Sequence, residues 1–365
     1  MTAQTDARFM ALALSLGRRG WGRVWPNPAV GCVIVKDGKI IGRGWTADGG
    51  RPHAETRALA QAGAAAEGAT AYVTLEPCAH HGQTPPCAQS LIDAKIARVV
   101  VALSDPDPRV DGGGLRMLQD AGIDVTVGVC ADAAARDHAG FLLRVREGRP
   151  FVTLKLAGTL DGRIATATGE SKWITGKAAR RAVHAMRARH DAVMVGAGTV
   201  RADDPSLTVR DMGITRQPVR VVLSRSMKIP VGSQLARTAA KVPVWLCHGA
   251  GANVASWVEN GAVSLPCETV SGQVAPLSAL KMLAERGITR VFCEGGGMLA
   301  ASLLNADLVD ELVVFSAGAT IGAEGTPMLA AMGVDGLAHA PRFTLSSVAT
   351  VGGDICHTWR RLPAP

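Results

Sequence analysis

The stretch AVGCVIV (29–35), KDG (36–38) and KIIGRGW (39–45), followed by HAETRALAQAGAAA (53–66), decides the fold of the first part of the chain. Two runs rich in β-branched residues flank the turn Lys36-Asp37-Gly38 and read as a hairpin, and the alanine-rich segment after them reads as a helix. Further on, AYVTLE (71–76), RVVVALS (98–104) and DVTV (124–127) read as strands, each separated from the next by a helix-compatible segment. The opening MTAQTDARFMALALSLGRR predicts an amphipathic helix, since Asp6 and Arg8 precede its apolar stretch and no small-residue cleavage site follows. ADAAARDHAGFLLRVREG (131–148) predicts the helix that ends this part. Alternation of this kind implies a three-layer α/β sandwich.

Glu147-Gly148-Arg149-Pro150 has linker composition and divides the chain into residues 1–147 and 148–365. FVTLKLA (151–157) then opens a second series: a helix over 177–189, strands DAVMVG (191–196), PVRVVLS (218–224), PVWLC (243–247) and TRVFCE (289–294), and β segments around 309–316 and 354–360. This is another α/β unit with an antiparallel finish. No internal repeat relates the two halves, so two different domains point to two different jobs.

A length of 365 residues suits two domains, since one core rarely grows past about 250–300 residues. The apolar fraction of 47% excludes a disordered chain, and no run of about 18 apolar residues is available to span a membrane. The net charge of +8 suits a polyanion or a small phosphorylated ligand. With 7 Trp, 6 Phe and 1 Tyr the stacking platforms of a single-strand binder are poorly supplied, which favours a small phosphate ligand over nucleic acid. Eight cysteines stand at 32, 78, 87, 130, 247, 267, 293 and 356, six of them in apolar runs, as expected in a reducing cytoplasm. Only Cys78 and Cys87 sit in polar, turn-rich sequence.

Those two cysteines join PHAE (52–55) to EPCAHHGQTPPC (76–87). A catalytic zinc takes three protein ligands and keeps one position open for water; His53, Cys78 and Cys87 would supply one imidazole and two thiolates. Glu55, two residues after His53 at the start of the same helix, is placed to reach the water and shuttle its proton to a leaving nitrogen. Pro77 suits the first turn of a helix, which would bring Cys78 to a positive helix end and favour its thiolate. Taken singly, the HAE triplet is a helix-start pair and the cysteines a structural zinc knot or two unrelated thiols. Jointly they match the zinc deaminase signature, with eight residues between cysteines where P-C-x-x-C is usual. His80 and His81 read as supporting or loop-packing residues, because a fourth ligand would close the site.

In the second half, CEGGGMLAASLL (293–304) places consecutive glycines between a strand and a helix. That is a phosphate- or dinucleotide-binding turn, or only a tight strand–helix turn; it lacks the G-x-G-x-x-G spacing. Arg187 and Arg210 would clamp a phosphate, or are exposed arginines. Lys155 and Asp161 are plausible active-site polar groups, with strand-edge solvation as the alternative.

With PNPAVGCVIVKDG (26–38), the HAE triplet, TLEPCAHHGQTPPC (74–87) and DPDPRV (105–110), the first part resembles the deaminase half of the bifunctional riboflavin-biosynthesis deaminase/reductase family. LKLAGTLDGRIATATGESKWIT (154–175), residues 184–210 and CEGGGMLAASLL resemble its reductase half. The resemblance implies a cytidine-deaminase-like sandwich followed by a dihydrofolate-reductase-like α/β domain, with one zinc ion and NADPH as cofactors. It implies zinc on His53, Cys78 and Cys87, Glu55 as proton shuttle, and Asn27 on the pyrimidine edge, where a plain turn residue is the alternative. Ala157, Trp173, Thr199, Asp203, Gly295, Gly296, Gly297, Met298 and Leu299 would lie against the nucleotide. Ser171, Arg187, Leu207, Arg210 and Glu294 would contact the substrate, a small phosphorylated pyrimidine. A homo-oligomer, dimer or tetramer, is implied through the reductase sheet edge.

The chain departs from the family pattern at three places. Thr46 stands where members commonly carry His, and Gln83 where they carry Lys or Arg; both positions would touch the ribose-phosphate. Ser224-Arg225 replaces a common Asp-Ser, and Arg225 would pair with the NADPH 2′-phosphate. Asp105 and Asp107 remain loop candidates for the substrate, with turn formation as the alternative.

Overall fold

The computed structural model describes residues 2–79 and 85–361, and the chain divides into two compact units, Met1–Gly148 and Arg149–Pro365. In the first, α1 (Ala3–Gly17) precedes the hairpin β1 (Gly31–Lys36) and β2 (Lys39–Trp45). There follow α2 (Ala54–Ala62), β3 (Thr70–Val73), α3 (Cys87–Asp93), β4 (Arg98–Val101), α4 (Gly113–Asp120), β5 (Asp124–Val127), α5 (Ala131–Asp137) and α6 (Ala139–Glu147). The segment expected as one closing helix is two, meeting at His138, which caps the second.

The five strands run β2-β1-β3-β4-β5, antiparallel at the hairpin and between β1 and β3, and parallel from β3 to β5. Side chains alternate across a strand, and here both faces are covered. Cys32 and Ile34 pack with Ala54, Ala58, Leu91 and Leu118 of α2, α3 and α4. Val33 and Val35 pack on the opposite face with Phe9, Met10, Ala13 and Leu14 of α1. Two cores on two faces make the sandwich three-layered. Helix α2 lies directly on β2: a Cβ at Gly44 would fall 1.9 Å from the Ala54 carbonyl oxygen, and one at Gly42 2.3 Å from that of Ala58. That close approach seats the first turn of α2, which carries Glu55.

The second unit comprises β6 (Phe151–Thr159), β7 (Arg163–Ala165), α7 (Lys177–Arg187), β8 (Ala192–Gly196), α8 (Ala197–Asp203), β9 (Val219–Ser224), α9 (Gln234–Arg237) and β10 (Val244–His248). It continues through α10 (Ala255–Glu259), β11 (Val263–Pro266), β12 (Thr269–Val270), β13 (Gln273–Val274), α11 (Pro276–Glu285), β14 (Arg290–Cys293) and α12 (Gly297–Asn305). The last elements are β15 (Glu311–Ala317), β16 (Thr326–Pro327), β17 (Phe343–Val351) and β18 (Asp354–Arg361). Nine strands form one sheet in the order β11-β10-β9-β8-β14-β6-β15-β18-β17. From β11 to β15 neighbours are parallel, and β18 and β17 add an antiparallel finish. No described helix is long and apolar enough to cross a membrane.

Candidate active sites

In the first unit the chemistry gathers at the start of α2. His53 is its N-cap, in extended conformation, and Glu55 stands in its first turn, buried. The ring nitrogen of His53 and the sulfurs of Cys78 and Cys87 lie within 4.8 Å of one another. His53 Nδ1 is 3.2 Å from Cys87 Sγ and 3.7 Å from Cys78 Sγ. A tetrahedral zinc with Zn–N near 2.0 Å and Zn–S near 2.3 Å holds neighbouring donors about 3.5–3.8 Å apart, so the three groups fit the ion with only small adjustment.

The expectation that Pro77 opens a helix is corrected: residues 77–79 are irregular and the helix opens at Cys87, behind Pro85-Pro86. A helix end still reaches Cys78, through the Cys87 backbone N–H, which donates to its sulfur at 3.3 Å. Hydrogen bonds from the Cys87 thiol and the His53 ring hold the Cys78 thiol well below the usual range, making it the first thiolate. Cys87, beside that thiolate, is pushed up. Burial raises the Glu55 carboxyl to about 7, against the lowering influence of His53. A carboxyl balanced there can both accept and return a proton.

Asn27 lies under the loop before His53. Its Nδ2 donates to the Gly50 carbonyl at 3.3 Å, and its backbone N–H to Val24. Thr46 turns inward instead of reaching a ribose-phosphate. Its hydroxyl donates to the Pro28 carbonyl and accepts from the Val30 N–H, both at 3.0 Å, so it pins the Pro26–Pro28 segment. Asp105 accepts from the Asp107 N–H, and Asp107 from the Arg109 backbone and guanidinium, the turn-forming alternative. His80, His81 and Gln83 lie outside the described residues.

Sequence reasoning missed Glu76. It is buried, 4% exposed, and its carboxylate accepts from four backbone N–H groups: Asp105 and Gly112 on one oxygen, Gly114 and Leu115 on the other. An acid ending the apolar run AYVTLE was the available signal, because a buried carboxylate must find donors.

In the second unit two of the nucleotide candidates, Thr199 and the Gly295–Leu299 turn, meet at the carboxyl ends of the adjacent parallel strands β8 and β14, where open α/β sheets bind ligands. Thr199, on α8 after β8, accepts from the Gly296 N–H at 3.2 Å after β14. A Cβ at Gly295 would lie 2.6 Å from Leu299 Cδ2, and one at Gly297 3.0 Å from the Ala330 nitrogen, so the tri-glycine turn is as tight as its composition suggested. Met298 is exposed, as is Arg225 at the end of β9. Ala157 is half-buried on β6, Asp203 closes α8, and Trp173 is exposed with the Arg180 guanidinium 4.4 Å from its ring centre. Ser171 is exposed, two residues before Trp173.

Two of the substrate candidates, Arg187 and Glu294, are tied by a buried ion pair. Arg187 Nε and Nη2 donate to the two Glu294 oxygens at 2.5 and 3.1 Å, and Nη1 to the Thr208 carbonyl at 2.9 Å. Burial raises the Glu294 carboxyl and Arg187 lowers it; the pairing prevails, and it lies below the ordinary value. The phosphate-clamp reading of Arg187 thus competes with this pair, since Glu294 already engages one edge of its fork. Arg210 is exposed, and among the described residues its guanidinium holds no ion pair. Leu207 is buried at φ +54°, next to Thr208, whose carbonyl Arg187 engages, and three residues before Arg210. Lys155, half-buried beside Glu294, Arg187 and Asp203, has its ammonium pKa lowered by burial.

Residues 3–103 match the cytidine and deoxycytidylate deaminase zinc-binding region, and residues 150–357 the RibD C-terminal domain. The chain is 43% identical to riboflavin biosynthesis protein RibD of Haemophilus influenzae, over 97% of both chains. It is 42% identical to that of Escherichia coli, covering 96% of this chain and 98% of the relative. Among solved structures, Acinetobacter baumannii RibD is 40% identical with a TM-score of 0.90, covering 99% of this chain and all of the other. A Thermotoga maritima structure described as a diaminohydroxyphosphoribosylaminopyrimidine deaminase/5-amino-6-(5-phosphoribosylamino)uracil reductase is 35% identical with a TM-score of 0.85, covering 99% of each.

A cytidine-deaminase-like unit with its zinc-binding region, followed by a dihydrofolate-reductase-like unit, defines a bifunctional deaminase/reductase. The chain belongs to the RibD family of riboflavin biosynthesis enzymes.

Proposed function

We propose that the first unit deaminates a diaminopyrimidinone ribosylamino 5′-phosphate and that the second reduces the ribosyl group of the product to ribityl with NADPH. The observation that carries the reading is the convergence of His53, Cys78 and Cys87 within 4.8 Å, with buried Glu55 on the same helix turn. His53, Cys78 and Cys87 would hold zinc, which when bound acidifies water and polarises the reacting carbon. Glu55 takes a proton from the attacking water and delivers it to the departing amine, so that ammonia leaves and a carbonyl remains. Its value of about 7 suits both halves of that transfer. Asn27, held by Gly50, orients the pyrimidine edge.

In the second unit, Ala157, Trp173, Thr199, Asp203 and Gly295 to Leu299 are the groups that would hold the nucleotide, and NADPH when bound supplies the hydride. The close turn at Gly295–Gly297 lets backbone N–H groups approach a phosphate. Arg210 presents an open guanidinium to the substrate phosphate, while the Arg187–Glu294 pair, with Ser171 and Leu207, shapes the wall around the sugar. These groups orient the reacting carbon and exclude water, which is the protein's share in hydride transfer.

The test is incubation of the protein with the diaminopyrimidinone phosphate and NADPH. Loss of NADPH absorbance that requires prior deamination, and that Glu55→Gln abolishes, supports the reading. No turnover of either kind overturns it.

A further inference from the structure

Glu76 has no part in the chemistry just described, yet few charged groups in the first unit are so completely enclosed. It ends the segment that follows β3, donates its own N–H to the Leu103 carbonyl at 2.9 Å, and stands two residues before Cys78. Its carboxylate gathers N–H groups from two places: Asp105 at 3.2 Å and Gly112 at 3.3 Å on one oxygen, Gly114 at 3.0 Å and Leu115 at 3.3 Å on the other. A carboxylate facing the first turn of a helix is the favourable sign for the helix dipole, and charge-assisted bonds of this kind are the stronger ones.

The backbone around it is built for contact. A Cβ at Gly114 would lie 1.9 Å from the Pro77 carbonyl oxygen, and one at Gly113 3.2 Å from the Ala79 side chain. Gly112 sits at φ +76°, in the left-handed region that favours glycine, and so turns its N–H toward Glu76. The start of α4 is thus pressed against residues 76–79, the segment that carries Cys78. From its other side Cys78 is held by α3, whose Cys87 N–H donates to its sulfur at 3.3 Å and whose Ala88 N–H donates to its carbonyl at 3.2 Å. The Cys78 segment is therefore clamped between two helix starts, and Glu76 is the charged group that fastens one of them.

We infer that Glu76 is a positioning residue for the metal centre: by binding the first turn of α4 it fixes the Cys78 segment in the arrangement that holds zinc. The inference rests on the zinc reading of His53, Cys78 and Cys87. Groups behind the ligands commonly change metal affinity by about 10–100-fold when removed. Glu76→Gln keeps the size of the side chain but replaces one acceptor oxygen by an NH2 group facing N–H donors. Gly114→Ala leaves the carboxylate intact and pushes α4 off the Pro77 carbonyl.

The experiment loads the full chain with zinc and measures release into excess pyridylazo-resorcinol chelator, alongside the visible spectrum of the cobalt-substituted protein. The expected result is zinc release about tenfold or more faster in both variants, with altered cobalt bands, while NADPH-dependent reduction of the deaminated substrate stays at the parent rate. Folded variants with unchanged release and unchanged cobalt bands overturn the inference. A parent chain that takes up no zinc overturns the zinc reading as well, which separates the two failures. Should neither variant fold, hydrogen exchange on the parent decides: coupling is reciprocal, so stripping zinc must speed exchange at the Gly114 and Leu115 amides. Unchanged exchange there overturns the inference.

Discussion

Asn27 and Gly50 fit together so closely that no side chain can be added at Gly50 while Asn27 stays in place. Asn27 Nδ2 donates to the Gly50 carbonyl at 3.3 Å, and a Cβ added to Gly50 would fall 1.9 Å from that same nitrogen. Gly50 also sits at φ +88°, where an L side chain is strained.

Gly50→Ala must therefore displace Asn27. The expected outcome is a rise in KM for deamination of about tenfold, equivalent to about 1.4 kcal/mol of lost orientation. Steady-state kinetics on each half-reaction check it, and an unchanged deaminase KM would remove Asn27 from the substrate site.

The Arg187–Glu294 pair is buried on both sides, and removing one partner leaves a charge without its counterion. Arg187→Met should cost about 3–5 kcal/mol in the second unit and abolish reduction. Adding Glu294→Leu should recover much of the melting temperature but none of the NADPH consumption. Recovery of activity in the double variant would show that the pair is structural only.

Acid should weaken the second unit through His190. Burial lowers its pKa from 6.5 to about 3, and its ring nitrogens are engaged by the Met186 carbonyl and the Thr153 hydroxyl. The folded state keeps the ring neutral while the unfolded chain takes up a proton below 6.5. Stability is thus lost as pH falls from 6.5 toward 3 and is unaffected by this group above that window. Urea unfolding at pH 7.5 and pH 5, followed by a probe in the second unit, should show the difference, and His190→Gln should reduce it.

Metal removal should divide the two activities. Dialysis against a strong chelator should abolish deamination, with recovery on added zinc, and leave reduction of the deaminated substrate intact. Cys87→Ser should behave as the stripped protein does, without recovery. Loss of both activities together would contradict the assignment of the metal to the first unit.

The hairpin at 29–45 and the strand runs were legible because burial on two faces imposes apolar composition on both alternating sets, as Cys32 and Ile34 against Val33 and Val35 show. Helix starts were less legible. Pro77 and Pro86 carry the same local signal, and only the structure shows that the second one opens the helix. The break at His138 escaped a reading that saw uninterrupted helical composition. Strand β17, FTLSSVATV, was missed because it lies at the sheet edge and is largely exposed, so no apolar pattern marks it. At the first site, the candidate metal ligands His53, Cys78 and Cys87 were found by motif spacing, and the structure brings them together. Arg187 and Glu294, 107 residues apart, were read separately, and nothing in their types says that each neutralises the other. Glu76 shows in the sequence only as an acid ending an apolar run, because the amides it binds leave no trace in side-chain identity.

The division between Gly148 and Arg149 passes between strands of different sheets, and each sheet is complete on its own side. Severing the chain there would break no strand pairing. Each half of the chain therefore brings with it all the strand pairing that its own sheet needs.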